Sequence, residues 1–106
     1  MKVVTAFVKQ HKLPDVTLAL HGVAGLTGMS ATTVHGFGRG KGSGRPTGEE
    51  THARIEIFCP DGLVEEVIAV LLQAAHTGLR GDGKIYVSEV QTAIRISTGE
   101  RGEAAV

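Results

Sequence analysis

The sequence predicts an α+β fold with the element order strand, helix, strand, strand, helix, strand. Two segments place apolar residues at helical spacing, and four segments are β-branched or alternate between apolar and polar residues. The 106 residues suit one domain over residues 1–106. This order is the split βαβ arrangement of ferredoxin-like folds, βαββαβ, in which a four-stranded antiparallel sheet carries both helices on one face.

The first half of the chain predicts a strand, a helix and a second strand. Val3–Val8, VVTAFV, is apolar and β-branched, which is typical of a buried strand. Apolar residues recur at helical spacing from Leu13, Pro14 suits an early helical position, and Gly25 suits the helix end. Met29–Gly38 is rich in Thr and Val and predicts the second strand.

The middle of the chain predicts a mobile loop followed by a third strand. Arg39–His52 is rich in glycine and has few apolar residues, so we expect a short mobile loop over residues 39–52. Ala53–Cys59 then alternates, with Ile55 and Ile57 on one face of the strand.

The second half predicts the longer helix and the last strand. Pro60–His76 has a helical pattern, and Asp61 is the expected N-terminal cap. The expected buried stripe consists of Leu63, Val67, Val70, Leu71 and Ala74. Lys84–Val90 predicts the fourth strand, and Ala93–Ser97 predicts a short additional strand before a polar tail.

The bulk composition excludes several classes of protein. Eleven basic and eleven acidic residues give a formal net charge of zero, which provides no global field to attract nucleic acid or an anionic membrane. A single cysteine excludes an internal disulfide framework. The N-terminal segment lacks the pattern of a signal peptide, and no apolar run is long enough to span a membrane. We therefore expect a cytoplasmic protein.

Aromatic residues make up only 4% of the chain, so the expected core is aliphatic. The sheet face that carries no helix also has apolar residues, and we expect it to pack against other subunits.

A glycine-rich loop between the longer helix and the last strand is the first candidate site. It lies within His76–Val87, HTGLRGDGKIYV. The loop follows a helix and opens a strand, so it is not a phosphate loop of the Walker type. One interpretation is a helix cap at Gly78 followed by a GDG turn. The other is an anion-binding nest of backbone N–H groups with Lys84 as an adjacent charge.

A second glycine-rich stretch, HGFGRGKG, begins at His35. Its first half is similar to an RNA-binding signature, but the aromatic positions after Arg39 are missing, so RNA binding is not expected. Gly36 and Gly38 allow a ligand to approach the backbone closely, with Arg39 as a positive group; the alternative is a glycine-rich strand end. The five histidines show no metal-binding spacing, and no catalytic arrangement is evident.

Six motifs in this order resemble the PII signal-transduction family over nearly the whole chain. The segment Gly40–His52 does not match. The matching motifs are KL at Lys12–Leu13, TGM at Thr27–Met29, GFGR at Gly36–Arg39, IEI at Ile55–Ile57, TGLRGDGKI at Thr77–Ile85 and IRISTGERGE at Ile94–Glu103.

The resemblance implies a compact homotrimer with an adenine nucleotide in each cleft between subunits. It assigns Gly81, Asp82, Gly83 and Lys84 to the phosphate-binding loop at residues 77–84. Gly36, Gly38 and Arg39 would form the other phosphate wall, and Ser30 and Phe58 would line the adenine site. Arg95, in the C-terminal tail at residues 95–106, would reach in from the adjacent subunit.

The chain also departs from the family pattern. The loop at residues 39–52 has no tyrosine, so uridylylation is not expected. Gly40 stands where the family usually has a glutamine that holds magnesium and 2-oxoglutarate, a lysine near the end of the loop has no counterpart before Arg54, and Ser97 replaces a second tail arginine. With fewer positive groups, ADP or AMP is expected to bind as well as ATP.

The expected function is a non-enzymatic regulator that senses ATP, ADP or AMP and controls a membrane transporter or a metabolic enzyme. The resemblance implies nitrogen or inorganic-carbon metabolism, with bicarbonate as a candidate second effector and the short loop as the effector segment. Two alternatives remain open. One is a slow ATPase in the same cleft, with Asp82 or a water as the base. The other is a trimer of similar fold that binds metal ions through its histidines.

Overall fold

The computed structural model describes residues 1–36 and 50–106, and within them it contains one four-stranded sheet and two α-helices. The predicted fold class is confirmed: the sheet is antiparallel throughout, with the strand order β2-β3-β1-β4. The elements in chain order are β1 Lys2–Lys9, α1 Leu13–His21, β2 Ser30–Gly36, β3 Glu50–Cys59, α2 Val64–Ala75 and β4 Gly83–Glu89.

The core lies between the two helices and the two central strands. Alternate residues of β1 and β3 face the helices and are almost completely buried, as the sequence alternation at Ile55 and Ile57 predicts. In the predicted stripe of α2, Val67 and Leu71 are fully buried, and the other three residues pack against the core from its margin. The buried residues are Val4, Ala6, Val8, Val16, Leu20, Ala53, Ile55, Ile57, Cys59, Val64, Val67, Leu71 and Ala75.

The strand register sets the position of both glycine-rich stretches. β4 begins beside the end of β1, with Gly83 opposite Val8 and Lys84 opposite Phe7. At the same end of the sheet, β2 ends at Gly36, which is opposite Glu50 at the start of β3. The start of β4 and the last described residue of β2 therefore lie at the same end of the sheet, on its two opposite edge strands.

Strand β3 starts at Glu50, three residues before the predicted start at Ala53. Residues 50–52 are therefore strand, because each of them pairs with a residue of β2, from Val34 to Gly36. The rest of the predicted loop lies outside the described residues, as do Gly38 and Arg39 and the end of the predicted second strand.

The predicted capping role of Asp61 is wrong. Residues 61–63 form a 3₁₀ turn, α2 begins after it, and its N-cap residue, Leu63, makes no side-chain capping bond. Asp61 Oδ1 instead lies 2.7 Å from the Met1 ammonium nitrogen and 3.1 Å from Lys2 Nζ. These partners, the Met1 ammonium first, lower the pKa of the Asp61 carboxyl.

The predicted strand over Ala93–Ser97 is also absent from the sheet. The segment makes one isolated antiparallel bridge, Ile94 to Arg101, within the tail itself. The chain reverses between them, where Gly99 N–H donates to the Arg95 carbonyl oxygen at 2.7 Å. Because this reversal satisfies the local backbone groups within the tail, the segment does not extend β4.

Among residues 1–36 and 50–106, no helix is both long enough and apolar enough to cross a membrane.

Candidate functional site

The loop at residues 77–84, called the GDGK loop below, is held closed by the Asp82 carboxylate. Thr77 N–H donates to Asp82 Oδ2 at 2.9 Å, and the Thr77 hydroxyl donates to Asp82 Oδ1. The same hydroxyl accepts a hydrogen bond from Leu79 N–H at 3.1 Å. Asp82 therefore fixes the path of the loop between its first residue and the start of β4.

Lys9, at the end of β1, joins this network from the sheet. Its Nζ lies 3.4 Å from Asp82 Oδ1 and donates to Thr77 Oγ1 at 3.2 Å. The Thr77 side-chain bond, the Thr77 backbone bond and then the Lys9 ammonium hold the pKa of the Asp82 carboxyl well below its usual range. A carboxylate stabilised in this way is a weak proton acceptor, so Asp82 is poorly suited to be the base of an ATPase.

The backbone conformation of the loop requires glycine at three positions. Gly78, Gly81 and Gly83 all have positive φ angles, of 78°, 79° and 107°. A Cβ atom on Gly83 would lie 1.6 Å from the carbonyl oxygen of Phe7, a distance that no side chain tolerates. Since α2 ends at Ala75 and His76 is extended, Gly78 is not its cap residue, so this part of the turn interpretation is wrong.

A cleft of ≈ 440 Å³ on the sheet face without helices brings the two glycine stretches together. We call it the glycine cleft. Gly36 lines it from β2, and Gly83 and Lys84 line it from β4. The Lys84 side chain is exposed and, within residues 1–36 and 50–106, makes no hydrogen bond or ion pair. The cleft thus combines glycine backbone with a lysine ammonium that is available to an anion.

His52 is the residue of this cleft that sequence reasoning missed. Its Nε2 lies 3.4 Å from the carbonyl oxygen of Gly81, and a Cβ atom on Gly36 would lie 3.9 Å from its Nδ1. The imidazole therefore spans the gap between the two glycine stretches. The alternation of β3 could have indicated His52. If the strand is extended back to Glu50, Arg54 and His52 lie on the same face, the one without helices.

Ser30 and Phe58, the predicted adenine-lining residues, lie together in a different cleft. This tail cleft has a volume of ≈ 300 Å³ and is closed by the C-terminal residues Ala105 and Val106. Ser30 and Gly36 are the two ends of β2, which at about 3.3 Å per residue puts them ~20 Å apart. Within one chain, the predicted adenine and phosphate residues therefore do not meet.

Arg95 lines neither of these two clefts in the described residues. Its guanidinium donates to the Ala104 carbonyl oxygen at 3.0 Å, and its Nε lies 3.5 Å from Glu100 Oε1. The side chain therefore stays within the tail of its own chain.

A third cleft, of ≈ 390 Å³, lies between α2 and β4 on the helix side of the sheet. It exists because the helices cover the central strands more fully than the edge strand β4. Its walls are largely apolar, and Leu72 and Val87 remain exposed there. Among the described residues, no group of three or more His, Cys, Asp or Glu side chains could hold a metal ion.

Comparisons with known proteins show which proteins the chain is similar to over its length. A family model described as "Nitrogen regulatory protein P-II" matches residues 1–100. The chain is 43% identical to "Nitrogen regulatory protein GlnK" of Escherichia coli (strain K12) over 113 residues, covering 100% of both chains. It is likewise 43% identical to "Nitrogen regulatory protein P-II" of Azospirillum brasilense and 44% identical to that of Rhodospirillum rubrum, again over the full length of each.

Proposed function

Because the chain belongs to the nitrogen regulatory protein P-II family, we propose that it is a signalling regulator that binds adenine nucleotides and controls a partner transporter or enzyme. Its relatives are named as regulatory proteins, and the proposal assigns the chain no catalytic turnover. The observation that carries the proposal is the glycine cleft, where Lys84 projects beside the exposed backbone of Gly36 and Gly83.

The glycine cleft suits the phosphate end of a nucleotide. Anionic oxygens gain most from charged donors and from N–H groups that no side chain shields. Lys84 supplies the charge. The bonds from Thr77 and Lys9 to Asp82 hold the backbone of the GDGK loop in one conformation. Asp82 is already satisfied by Thr77 and Lys9, so its negative charge is directed into the loop rather than toward the ligand.

The tail cleft suits the purine end, and it must come from another copy of the chain. Ser30 offers a hydroxyl and Phe58, which is 46% exposed, offers an aromatic surface. Because Ser30 lies ~20 Å from Gly36 along β2, a nucleotide can contact both ends only where two subunits meet. In such a site the Arg95 guanidinium, which is about half exposed, could exchange its intrachain partners for a phosphate.

The open face of the sheet supports assembly into a trimer. Phe7 and Tyr86 pack edge to face on it with ring centroids 6.1 Å apart, yet Tyr86 is 52% exposed. An aromatic pair left partly in water on a sheet face that no helix covers is typical of a surface that a partner covers. We propose that three copies cover these faces and that the glycine cleft of one subunit then meets the tail of the next.

The position of the cleft explains how a ligand could control a partner. Gly36 and Glu50 both line the glycine cleft, and they are the last and first described residues on either side of residues 37–49. A ligand that contacts Gly36 acts directly on the anchor of that segment. We therefore propose that nucleotide binding changes the presentation of residues 37–49 to the partner protein.

Isothermal titration calorimetry with AMP, ADP and ATP, each with and without Mg²⁺, tests the proposal. Lys84→Met should weaken binding at least about tenfold, because one charge-assisted phosphate contact is lost. Lys12→Met is the matched control, since Lys12 pairs with Asp15 at 3.1 Å on α1, away from the cleft. Absence of heat for all three nucleotides, or equal loss in both variants, would contradict the proposal. Light scattering of the wild-type chain should give the mass of a trimer.

A further inference from the structure

We infer that His52 determines the charge specificity of the glycine cleft: when protonated, its imidazolium acts with Lys84 and favours ligands with more phosphate charge. This inference rests on the proposed nucleotide function and adds a residue that the motifs of the chain do not single out. Histidine is the side chain whose unperturbed charge changes between pH 5 and 8, so the specificity becomes sensitive to pH.

The geometry places one imidazole nitrogen on each side of the cleft. Nε2 lies 3.4 Å from the Gly81 carbonyl oxygen and can donate to it in both the protonated form and the matching neutral tautomer. Nδ1 is then the nitrogen that gains or loses the proton, and it faces the Gly36 side, where an added Cβ would lie 3.9 Å away. Protonation thus adds an N–H donor and a positive charge beside exposed backbone, without breaking the contact with the GDGK loop.

Charged and titratable groups surround the imidazole from each neighbouring element. They are Lys9 on β1, His35 on β2, Glu50 and Arg54 on β3, Asp82 in the GDGK loop, and Lys84 and Tyr86 on β4.

Most of these charges are already balanced by a partner. Lys9 pairs with Asp82 at 3.4 Å, and Arg54 Nη2 lies 3.8 Å from the carboxylate of Glu56. Glu50 contributes a carboxylate to the cleft and Lys84 an ammonium, so their formal charges cancel, although the two groups form no ion pair with each other within residues 1–36 and 50–106. Protonation of His52 then adds one positive charge to this end of the cleft, where His35 is the second histidine.

The test compares the dissociation constants of wild type and His52→Gln for AMP, ADP and ATP between pH 8.0 and pH 5.5. The glutamine amide keeps a donor for Gly81 but never carries a charge. Nucleotide phosphates also titrate near pH 6. The quantity to follow is therefore the dissociation constant of His52→Gln divided by that of wild type at the same pH, because the titration of the ligand affects both constants alike. The ratio should rise from about 1 at pH 8.0 to about 10 at pH 5.5, and it should rise most for ATP.

Two further variants complete the design. His52→Lys carries a fixed positive charge, so at pH 8.0 it should already bind ATP more tightly than His52→Gln by the factor that separates wild type from His52→Gln at pH 5.5. His21→Gln, at the end of α1 and exposed, should follow wild type at every pH. Thermal unfolding of each variant at each pH confirms that the compared samples are folded.

The outcomes separate this inference from the function on which it rests. If wild type binds nucleotide but the ratio stays flat with pH, or if His52→Lys does not restore tight binding, the role of His52 is overturned and nucleotide binding stands. If wild type binds no nucleotide at any pH, both fall.

Discussion

The GDGK loop and the C-terminal tail are both short turns built on positive-φ glycines, but they are held in different ways. The loop is fixed by the sheet: Lys9 of β1 joins its internal network, and Gly83 packs against the backbone of Phe7. In the tail, the Arg95 side chain contacts Glu100 and Ala104 of the tail itself. A Cβ atom added to Gly99 would have no other atom within 4 Å.

The difference teaches where each segment can change. A loop held by a strand keeps one geometry, which suits a site that must recognise phosphate. A tail held mainly by its own residues, with Ile96 fully exposed at its turn, can dock on another surface without disturbing the core. The proposed roles of these segments, a fixed phosphate wall and a contribution to the neighbouring subunit, follow this division.

Replacing equivalent glycines tests the comparison most strongly. Gly83→Ala should destabilise the fold by about 3 kcal/mol or more, because backbone strain and a severe clash with Phe7 add together. Gly99 also has a positive φ, 76°, but open space around it, so Gly99→Ala should cost only about 1–2 kcal/mol. Urea unfolding of both variants measures the two costs, and equal values would show that the sheet does not constrain the loop.

The charge of Asp82 offers a second test, through pH. Its folded pKa is lowered, so its stabilising contribution is fully present above the unfolded value of about 3.9 and declines as pH falls below it. Asp82→Asn should therefore melt at a lower temperature than wild type at pH 7, and this difference should shrink between pH 4 and pH 2.5.

Asp15→Asn is the control for this experiment, since Asp15 is exposed and pairs only with Lys12 in the described residues. It should change the melting temperature little at pH 7. A difference between Asp82→Asn and wild type that stays constant as the solution is acidified would mean that the loop is held by shape rather than by the carboxylate charge.

The tail should show the smallest effect on stability. The Arg95–Glu100 pair is about half exposed on both sides, so Arg95→Gln should change the free energy of unfolding by about 0–1 kcal/mol. Nucleotide binding measured by calorimetry should nevertheless weaken, because the proposed site uses this guanidinium in the neighbouring subunit. A large loss of stability with unchanged binding would assign Arg95 to the fold of its own chain instead.

Local sequence patterns predicted the parts of the fold that depend on periodicity. The alternation at Ile55 and Ile57 and the helical stripe through Val67 and Leu71 gave the core, because burial repeats every second residue in a strand and every three or four in a helix. Gly83 and Lys84 were also found from sequence, since a GDGK turn before a strand is a local signal.

Contacts between distant segments could not be predicted in the same way. Asp61 looks like a helix cap, but its partners are the Met1 ammonium and Lys2, at the start of the neighbouring strand β1. The role of His52 depends on two glycines that come close only when β3 begins at Glu50. Ser30 and Phe58 line one cleft, and their role there stays a prediction; the separation of Ser30 from Gly36 appears only once β2 is built.

The burial of Cys59 gives the molecule a natural reporter. It is the single cysteine of the chain, it has no exposed surface at the end of β3, and burial raises the pKa of its thiol. Since thiol reagents attack the exposed thiolate, a dye can label only those molecules in which the centre of the sheet has opened. The labelling rate therefore counts transient openings of the native protein, without any engineered probe.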